Sequence, residues 1–218
     1  MPLAPIDKIF ERGKSRLFST VWLATVIIDA FYISARSVYE HVNFDALNTT
    51  MALGCYSFPC HILIPVIQPV KATVQNVRAQ GIVLNIVDSA TAKQPEGTRL
   101  HIIDAYLFVQ NRLLEMCYLL FYEQHIPHIE NLYSGDTKKW PQIFQFAWAL
   151  RNGIAHHGGH LNFRNLKYPA VTWHTLSYSP ADNGKPIFNE RFGPGDLFMF
   201  LFDLSDALDA VGAPMPPD

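Results

Sequence analysis

A long segment of helical periodicity in the middle of the chain, residues 99–125, is the feature that most constrains the fold. Its seam residues recur at spacings of three and four, which places them along one face of an α-helix. This seam is formed by Ile103, Leu107, Gln110, Leu114, Cys117 and Phe121. A stripe of this length has to be buried against other elements, and Pro127 predicts where the helix ends. The segment therefore predicts a buried helix of a bundle, with Gln110 as the polar member of its seam.

Four further segments favour helices. Residues 17–42 and the stretch that follows Pro141 both repeat apolar residues at helical spacing. Asp196 is a typical N-cap residue for a last helix near the end of the chain. Residues 65–90 are rich in valine and isoleucine, which suits strands, yet the spacing of their apolar residues favours a helix. We therefore expect a helix there as well.

Little of the chain favours β-structure. Residues 43–59 have the composition of a loop. Residues 171–178 are rich in β-forming residues, and the turn signal at 182–184 (Asp-Asn-Gly) indicates a small hairpin within residues 171–188. We predict a single domain over residues 1–218, an all-α bundle of four or five long helices that carries this small hairpin.

The small number of charged residues and the low net charge limit the kinds of partner that the protein can bind. Only 17% of the residues are charged, and 49% are apolar. So low a charged fraction implies that much surface is hidden, in a large core or in an oligomer interface, and we expect a homodimer. The formal net charge is −2, so no global basic field attracts nucleic acid. Any RNA would have to bind at a local site.

The chain has no feature that predicts a membrane span or a cofactor. Residues 21–33 are its most apolar stretch, but they are too short for a span and include Asp29. Cys55, Cys60 and Cys117 form neither a disulfide framework nor a zinc pattern, so we expect reduced thiols and a cytoplasmic protein. There is no glycine-rich phosphate loop and no dinucleotide fingerprint, and we expect no cofactor.

The sharpest chemical signal is the sequence RNGIAHHGGH at residues 151–160, directly after an amphipathic helix. A guanidinium binds phosphate through a fixed fork of donors and keeps its charge. An imidazole takes up and releases protons near neutral pH. An arginine and a histidine together therefore suffice to cleave a phosphodiester without a metal ion, and Arg151 and His156 are the candidate pair.

Helix geometry sets a condition on this pair. Five residues turn an ideal helix by about 500°, which leaves Arg151 and His156 about 140° apart. The long arginine side chain, a helix that loosens at Asn152-Gly153, or a second copy of the motif across a dimer would each close this gap. The sequence does not choose among the three.

The motif resembles the Rx4–6H signature of HEPN domains, which often carry asparagine directly after the arginine, as Asn152 does here. The resemblance covers this short stretch and its helical context. It implies an α-helical bundle that dimerises with its motifs facing, and a metal-independent endoribonuclease that leaves a 2′,3′-cyclic phosphate. It further implies that Arg151 and His156 are catalytic, that Asn152 supports them, and that the protein acts in phage defence or beside an antitoxin protein.

Two alternatives stay open, together with weaker RNA contacts. The chain is also compatible with a catalytically silent HEPN-like module that binds RNA, a nucleotide or a partner protein. A zinc-dependent hydrolase built on His156, His157 and His160 is the third reading, although no glutamate follows His156 as in HExxH. His157, His160, Lys138 and Lys139 are candidate RNA contacts. Each is equally compatible with an ordinary solvated position.

Overall fold

A computed structural model describes residues 6–39, 50–65, 69, 72, 79–90, 104–163 and 170–216 of the chain. The described residues form four helices, two antiparallel sheets and two short 3-10 helices. In chain order the elements are β1 (Ile6–Glu11), α1 (Phe18–Tyr39), β2 (Thr50–Gly54), β3 (Cys60–Pro65), β4 (Gly81–Asp88), α2 (Asp104–Tyr133), a 3-10 helix (Thr137–Lys139), α3 (Gln142–His157), β5 (Val171–Trp173), β6 (Leu176–Tyr178), a 3-10 helix (Pro180–Asp182) and α4 (Pro194–Ala210).

The larger sheet has four antiparallel strands in the order β1-β4-β3-β2. The alternating residues Ile82, Leu84 and Ile86 of β4 are buried, as are Ile62 and Ile64 of β3. This period of two places one face of the sheet in the core. The protein is therefore a mixed α/β structure, and the prediction of an all-α bundle is wrong.

Two of the predicted assignments account for this error. Residues 81–88 were expected in a helix over 65–90, but they form β4, because their β-branched residues pair with two neighbouring strands. Residues 50–54 were expected in a loop over 43–59, but they form β2 against β3. Most of the remainder of 65–90 lies outside the described residues.

Helix α2 extends past the proline that was expected to end it. Pro127 lies inside the helix, which continues to Tyr133. A proline in this position removes one backbone hydrogen bond and crowds the preceding turn. The turn beyond it is held by packing, since Ile129 is buried and the ring of Tyr133 lies 6.2 Å from that of Phe144. Tertiary contacts here outweigh a local signal that ends a helix.

Helix α3 forms as predicted. It begins after Pro141 and ends at Gly158, whose φ of +60° is the left-handed conformation that glycine adopts at helix ends. Its Phe146 is fully buried in an aromatic cluster with the hairpin and α4, with ring centres 5.6 Å from Tyr178 and 5.2 Å from Phe200. This packing fixes the axis of α3, and the exposed last turn projects from it.

The C-terminal part also follows the prediction, with small shifts. The hairpin consists of β5 and β6 and turns at His174-Thr175, before the predicted turn at 182–184. The last helix, α4, has Gly193 as its N-cap. Asp196 is the third helical residue and accepts a hydrogen bond from the Gly193 N–H at 2.8 Å. Across the described residues, none of the helices is both long and apolar enough to cross a bilayer.

Candidate active site

The side chains of Arg151 and His156 meet at the exposed end of α3. The guanidinium Nη1 of Arg151 lies 2.8 Å from Nε2 of His156. Both residues lie in one continuous helix that ends at His157. The long arginine side chain therefore spans the angular gap between the two positions, without a break in the helix and within a single chain.

A third side chain, Glu123, contacts the Arg151–His156 pair. Glu123 of α2 accepts a hydrogen bond from Arg151 Nε at 2.7 Å. The side chains of Arg151 and Glu123 are 27% and 47% exposed, so both can be reached from solvent. The carboxylate fixes one edge of the guanidinium and thereby orients the group that contacts His156.

The hydrogen bond between the pair defines what the imidazole can do. Arginine carries only donors, so Nε2 of His156 is the acceptor in this contact. An imidazole nitrogen that is available as an acceptor at the surface is of the type that serves as a general base. The guanidinium beside it is a fixed positive charge that stabilises a phosphate whose negative charge increases during reaction. The cluster thus combines proton transfer and anion stabilisation at one point.

A close backbone approach holds the end of α3 in place. The carbonyl of Gly153 accepts hydrogen bonds from the N–H groups of both Gly158 and Gly159. A Cβ atom at residue 153 would lie 2.7 Å from the carbonyl oxygen of His160 and 2.9 Å from Cδ1 of Ile187. Glycine is needed at this position because the returning chain packs directly on the helix backbone.

A cavity of about 230 Å³ adjoins this end of α3. Arg112 of α2 lines it, pairs with Glu115 at 2.6 Å and lies over the ring of Phe108 at 5.0 Å. Burial raises the pKa of the Glu115 carboxyl, against the opposite effect of Arg112. His160 also lines the cavity, together with Asn111, Gly159, Pro186 and Phe188. The cavity combines a cation with aromatic walls.

Three of the other predicted site residues lie near the C-terminal end of α3, and the two lysines lie before its first residue. Asn152 is half-buried beside Arg151. His157 is exposed and contacts the amide of Asn162, and Nδ1 of the exposed His160 lies 3.2 Å from the Gly158 carbonyl oxygen. Asn152 and His157 are therefore neighbours of the Arg151–His156 pair, whereas His160 lines the cavity.

Lys138 and Lys139 lie elsewhere. They form the 3-10 helix before α3, and Lys139 faces Asp136 at 3.7 Å. Arg151 and His156 lie about 14 Å and about 21 Å along α3 from its first residue, Gln142, which separates these lysines from the motif.

The zinc interpretation gains no support from the arrangement of the histidines. Across the described part of the chain, no three histidine, cysteine, aspartate or glutamate side chains are placed to hold a metal ion. Instead, His156 is engaged by Arg151, and Nδ1 of His160 faces backbone carbonyl oxygens.

Sequence reasoning missed three residues of this region. Glu123, Arg112 and Glu115 all belong to α2, outside the apolar seam that identified that helix. Their type carries no signal, since charged residues are ordinary on a helix, and nothing in the sequence shows that Glu115 is buried. Only the packing of α2 against α3 shows which of them meet the motif.

Comparisons with protein-family models, with curated proteins and with solved structures found no match to this chain.

Proposed function

We propose that this protein is a metal-independent endoribonuclease in which Arg151 and His156 act as the resemblance to HEPN domains implies. One observation carries the proposal: the guanidinium and the imidazole lie 2.8 Å apart on an exposed helix end. The resemblance supplies the substrate class, and the geometry supplies a base and a cation at one position.

In the proposed reaction, the scissile phosphate replaces His156 as the acceptor of the Arg151 Nη1 hydrogen bond, and the freed lone pair of His156 Nε2 takes the proton of a ribose 2′-hydroxyl. The 2′-oxygen attacks the adjacent phosphorus, and the bond from phosphorus to the 5′-oxygen of the next nucleotide breaks. The departing 5′-oxygen takes a proton from water, and His156 returns its proton to solvent, so the products are a 2′,3′-cyclic phosphate end and a 5′-hydroxyl end. Arg151 stabilises the negative charge on the phosphate oxygens during the attack. Glu123 keeps the guanidinium oriented through Nε, and the phosphate takes the place of the imidazole at Nη1.

A cavity near the end of α3, which Gly159 and His160 line but Arg151 and His156 do not, offers room for another part of an RNA strand. The cavity beside Gly159 and His160 has Phe108 and Phe188 in its walls, and aromatic side chains are surfaces on which bases stack. Arg112 lines the same cavity and pairs there with Glu115 at 2.6 Å, so it brings no net positive charge. The cavity therefore supports the proposal through base stacking on its aromatic walls.

A homodimer and a cytoplasmic location belong to the same proposal. Val109, Met116 and Leu120 are 44%, 53% and 54% exposed on α2, at spacings of seven and four residues. These spacings put them on one face of the helix that also supplies Glu123. A second copy would cover this stripe, and Leu120→Glu should then yield a monomer by light scattering. An antitoxin partner is the other occupant that the HEPN resemblance implies.

The test is RNA cleavage by purified protein in the presence of a metal chelator. We expect cleavage to persist with the chelator and to leave 2′,3′-cyclic phosphate ends, detected by mass spectrometry of the fragments. His156→Ala and Arg151→Ala should each lower the rate by about a thousandfold, in the range of acid–base catalysis.

His174→Ala is the matched control, because this histidine is also exposed but bonds to a carboxylate, Asp203, at 2.6 Å. Its cleavage rate should equal that of the unmodified protein. RNA binding without cleavage would indicate the catalytically silent module instead, and cleavage lost with the chelator would refute the proposal.

A further inference from the structure

Two cysteines lie opposite each other where the β2–β3 hairpin begins its loop. The last paired residues of the two strands are Gly54 and His61, and Cys55 and Cys60 occupy the next opposed positions. The Cys55 N–H donates a hydrogen bond to the Cys60 carbonyl oxygen at 3.1 Å, so the pairing extends to them. Hydrogen-bonded opposed residues have Cα atoms about 5.5 Å apart, which is the separation that a disulfide bond requires.

The two thiols also contact each other. The Cys55 thiol donates a hydrogen bond to the sulfur of Cys60, which lowers the pKa of Cys60 and raises that of Cys55. Cys60 is buried, whereas Cys55 is half-buried and reachable from solvent. The hydrogen bond therefore favours the thiolate form of Cys60 and the protonated thiol form of Cys55. This is the arrangement of an attacking and a resolving cysteine.

We propose that Cys55 and Cys60 form a redox modification site, which a peroxide converts to an intramolecular disulfide and a thiol reductant restores. The Cys60 thiolate attacks a peroxide oxygen, the O–O bond breaks, and hydroxide leaves and takes up a proton to become water. The sulfenic acid on Cys60 is then attacked by the sulfur of Cys55, and the second water leaves with the thiol proton. The two thiols lose two electrons and two protons, and hydrogen peroxide becomes two waters.

The disulfide would close the six-residue loop that sits on α4 and the small hairpin. Asp196 of α4 accepts hydrogen bonds from the backbone N–H groups of Tyr56 and Ser57, at 2.7 Å and 2.9 Å. Phe58 packs edge-on against Trp173, with ring centres 5.2 Å apart. The disulfide would therefore restrain the place where the β2–β3 hairpin, α4 and the β5–β6 hairpin pack together. This inference does not depend on the proposed ribonuclease activity, since none of these residues belongs to the Arg151–His156 cluster.

The third cysteine provides an internal control. Cys117 lies on α2 and is buried, and its burial raises the pKa of the thiol to about 11. It is the only other cysteine of the chain. Cys117 is as buried as Cys60, but its pKa is raised where that of Cys60 is lowered, and no second cysteine acts on its thiol, so it should react more slowly with peroxide.

The experiment is differential thiol labelling of the full chain after exposure to hydrogen peroxide. The protein is quenched in acid, unfolded, treated with iodoacetamide, reduced, and then treated with N-ethylmaleimide before peptide mapping by mass spectrometry. We expect the maleimide on both Cys55 and Cys60, and iodoacetamide on Cys117. The pair should be oxidised at least ten times faster than Cys117. The melting temperature of the oxidised protein should rise by about 5 °C, because a short loop is closed.

Three outcomes would overturn the proposal: iodoacetamide on both hairpin cysteines, sulfinic acid in place of the disulfide, or a crosslink between chains. In Cys55→Ser, the remaining Cys60 should stop at the sulfenic acid or oxidise further, and the temperature rise should be absent. The labelling result on the unmodified chain decides the question even if this variant folds poorly.

Discussion

Two sites of this protein carry charged side chains, but one is exposed to solvent and the other is buried. At the end of α3, Glu123, Arg151 and His156 contact one another at the surface. At the start of α4, Asp196 is fully buried and accepts three backbone hydrogen bonds, from Tyr56, Ser57 and Gly193. The side chains of the first site are exposed to solvent, whereas the carboxylate of the second makes its hydrogen bonds within the fold.

The difference shows how burial separates a structural charge from a candidate catalytic one. A buried carboxylate that accepts bonds from three N–H groups is closed to solvent and to ligands, and its removal leaves donors without partners. An exposed charge contributes little to stability because water screens it. Residue type alone does not distinguish the two clusters, so experiments should separate stability from activity.

The sharpest separation is expected between Asp196→Ala and His156→Ala. The first should lower the free energy of unfolding by about 3 kcal/mol, since three buried donors lose a charged acceptor. The second should change it by less than about 0.5 kcal/mol, because His156 is exposed. Urea titrations followed by circular dichroism would measure both values. Asp206→Ala, an exposed position of the same helix α4, should resemble His156→Ala. Equal losses in the two main variants would contradict the comparison.

A smaller loss is expected for Gly153→Ala, which tests whether the open cluster depends on a close backbone contact. The added Cβ would crowd the His160 carbonyl oxygen. The strain should outweigh the gain in helix propensity and leave a loss of about 1 to 2 kcal/mol in thermal or urea unfolding. Gly158→Asn is the control, because that position is left-handed with open space around it and asparagine tolerates this conformation. A Gly153→Ala protein as stable as the unmodified one would remove the packing argument.

Glu123→Gln should affect activity without affecting folding. Glutamine keeps an acceptor for Arg151 but not the charge that orients it, so we expect kcat/KM for RNA to fall about tenfold. The unfolding free energy should change by less than about 0.5 kcal/mol, since the pair is exposed. Glu130→Gln, exposed on the same helix, should leave both quantities unchanged. If the two variants behave alike, Glu123 has no positioning role.

The smallest effect is expected in the pH dependence of folding stability, through His125, which is buried where His156 is exposed. Burial lowers the pKa of His125, whose Nδ1 lies 2.7 Å from the Phe121 carbonyl oxygen. As the pH falls below about 6.5, the unfolded chain takes up this proton first, so folding stability decreases. Arg16, Asp209 and His128 also act on this group, and the same decrease should be shallower in His125→Gln. Melting temperatures between pH 7.5 and 5 would measure both slopes, and identical slopes would contradict the assignment.

Local signals in the sequence determined the parts of the protein that depend on neighbours along the chain. The seam of α2 identified that helix, and Pro141 and Gly158 correctly bounded α3. The spacing of Arg151 and His156 indicated a candidate pair, but only the structure showed that the arginine side chain spans the angle of about 140° between them.

The tertiary structure alone decided everything that depends on distant partners. Residues 81–88 form a strand because β1 and β3 pair with them, and sequence spacing carries no record of that pairing. Helix α2 passes through Pro127 because packing outweighs the lost hydrogen bond. Glu123 joins Arg151 only because α2 lies against α3. Periodicity and caps act over a few residues, whereas strand pairing and contacts between helices join residues far apart in the chain, and their energies appear only once the chain has folded.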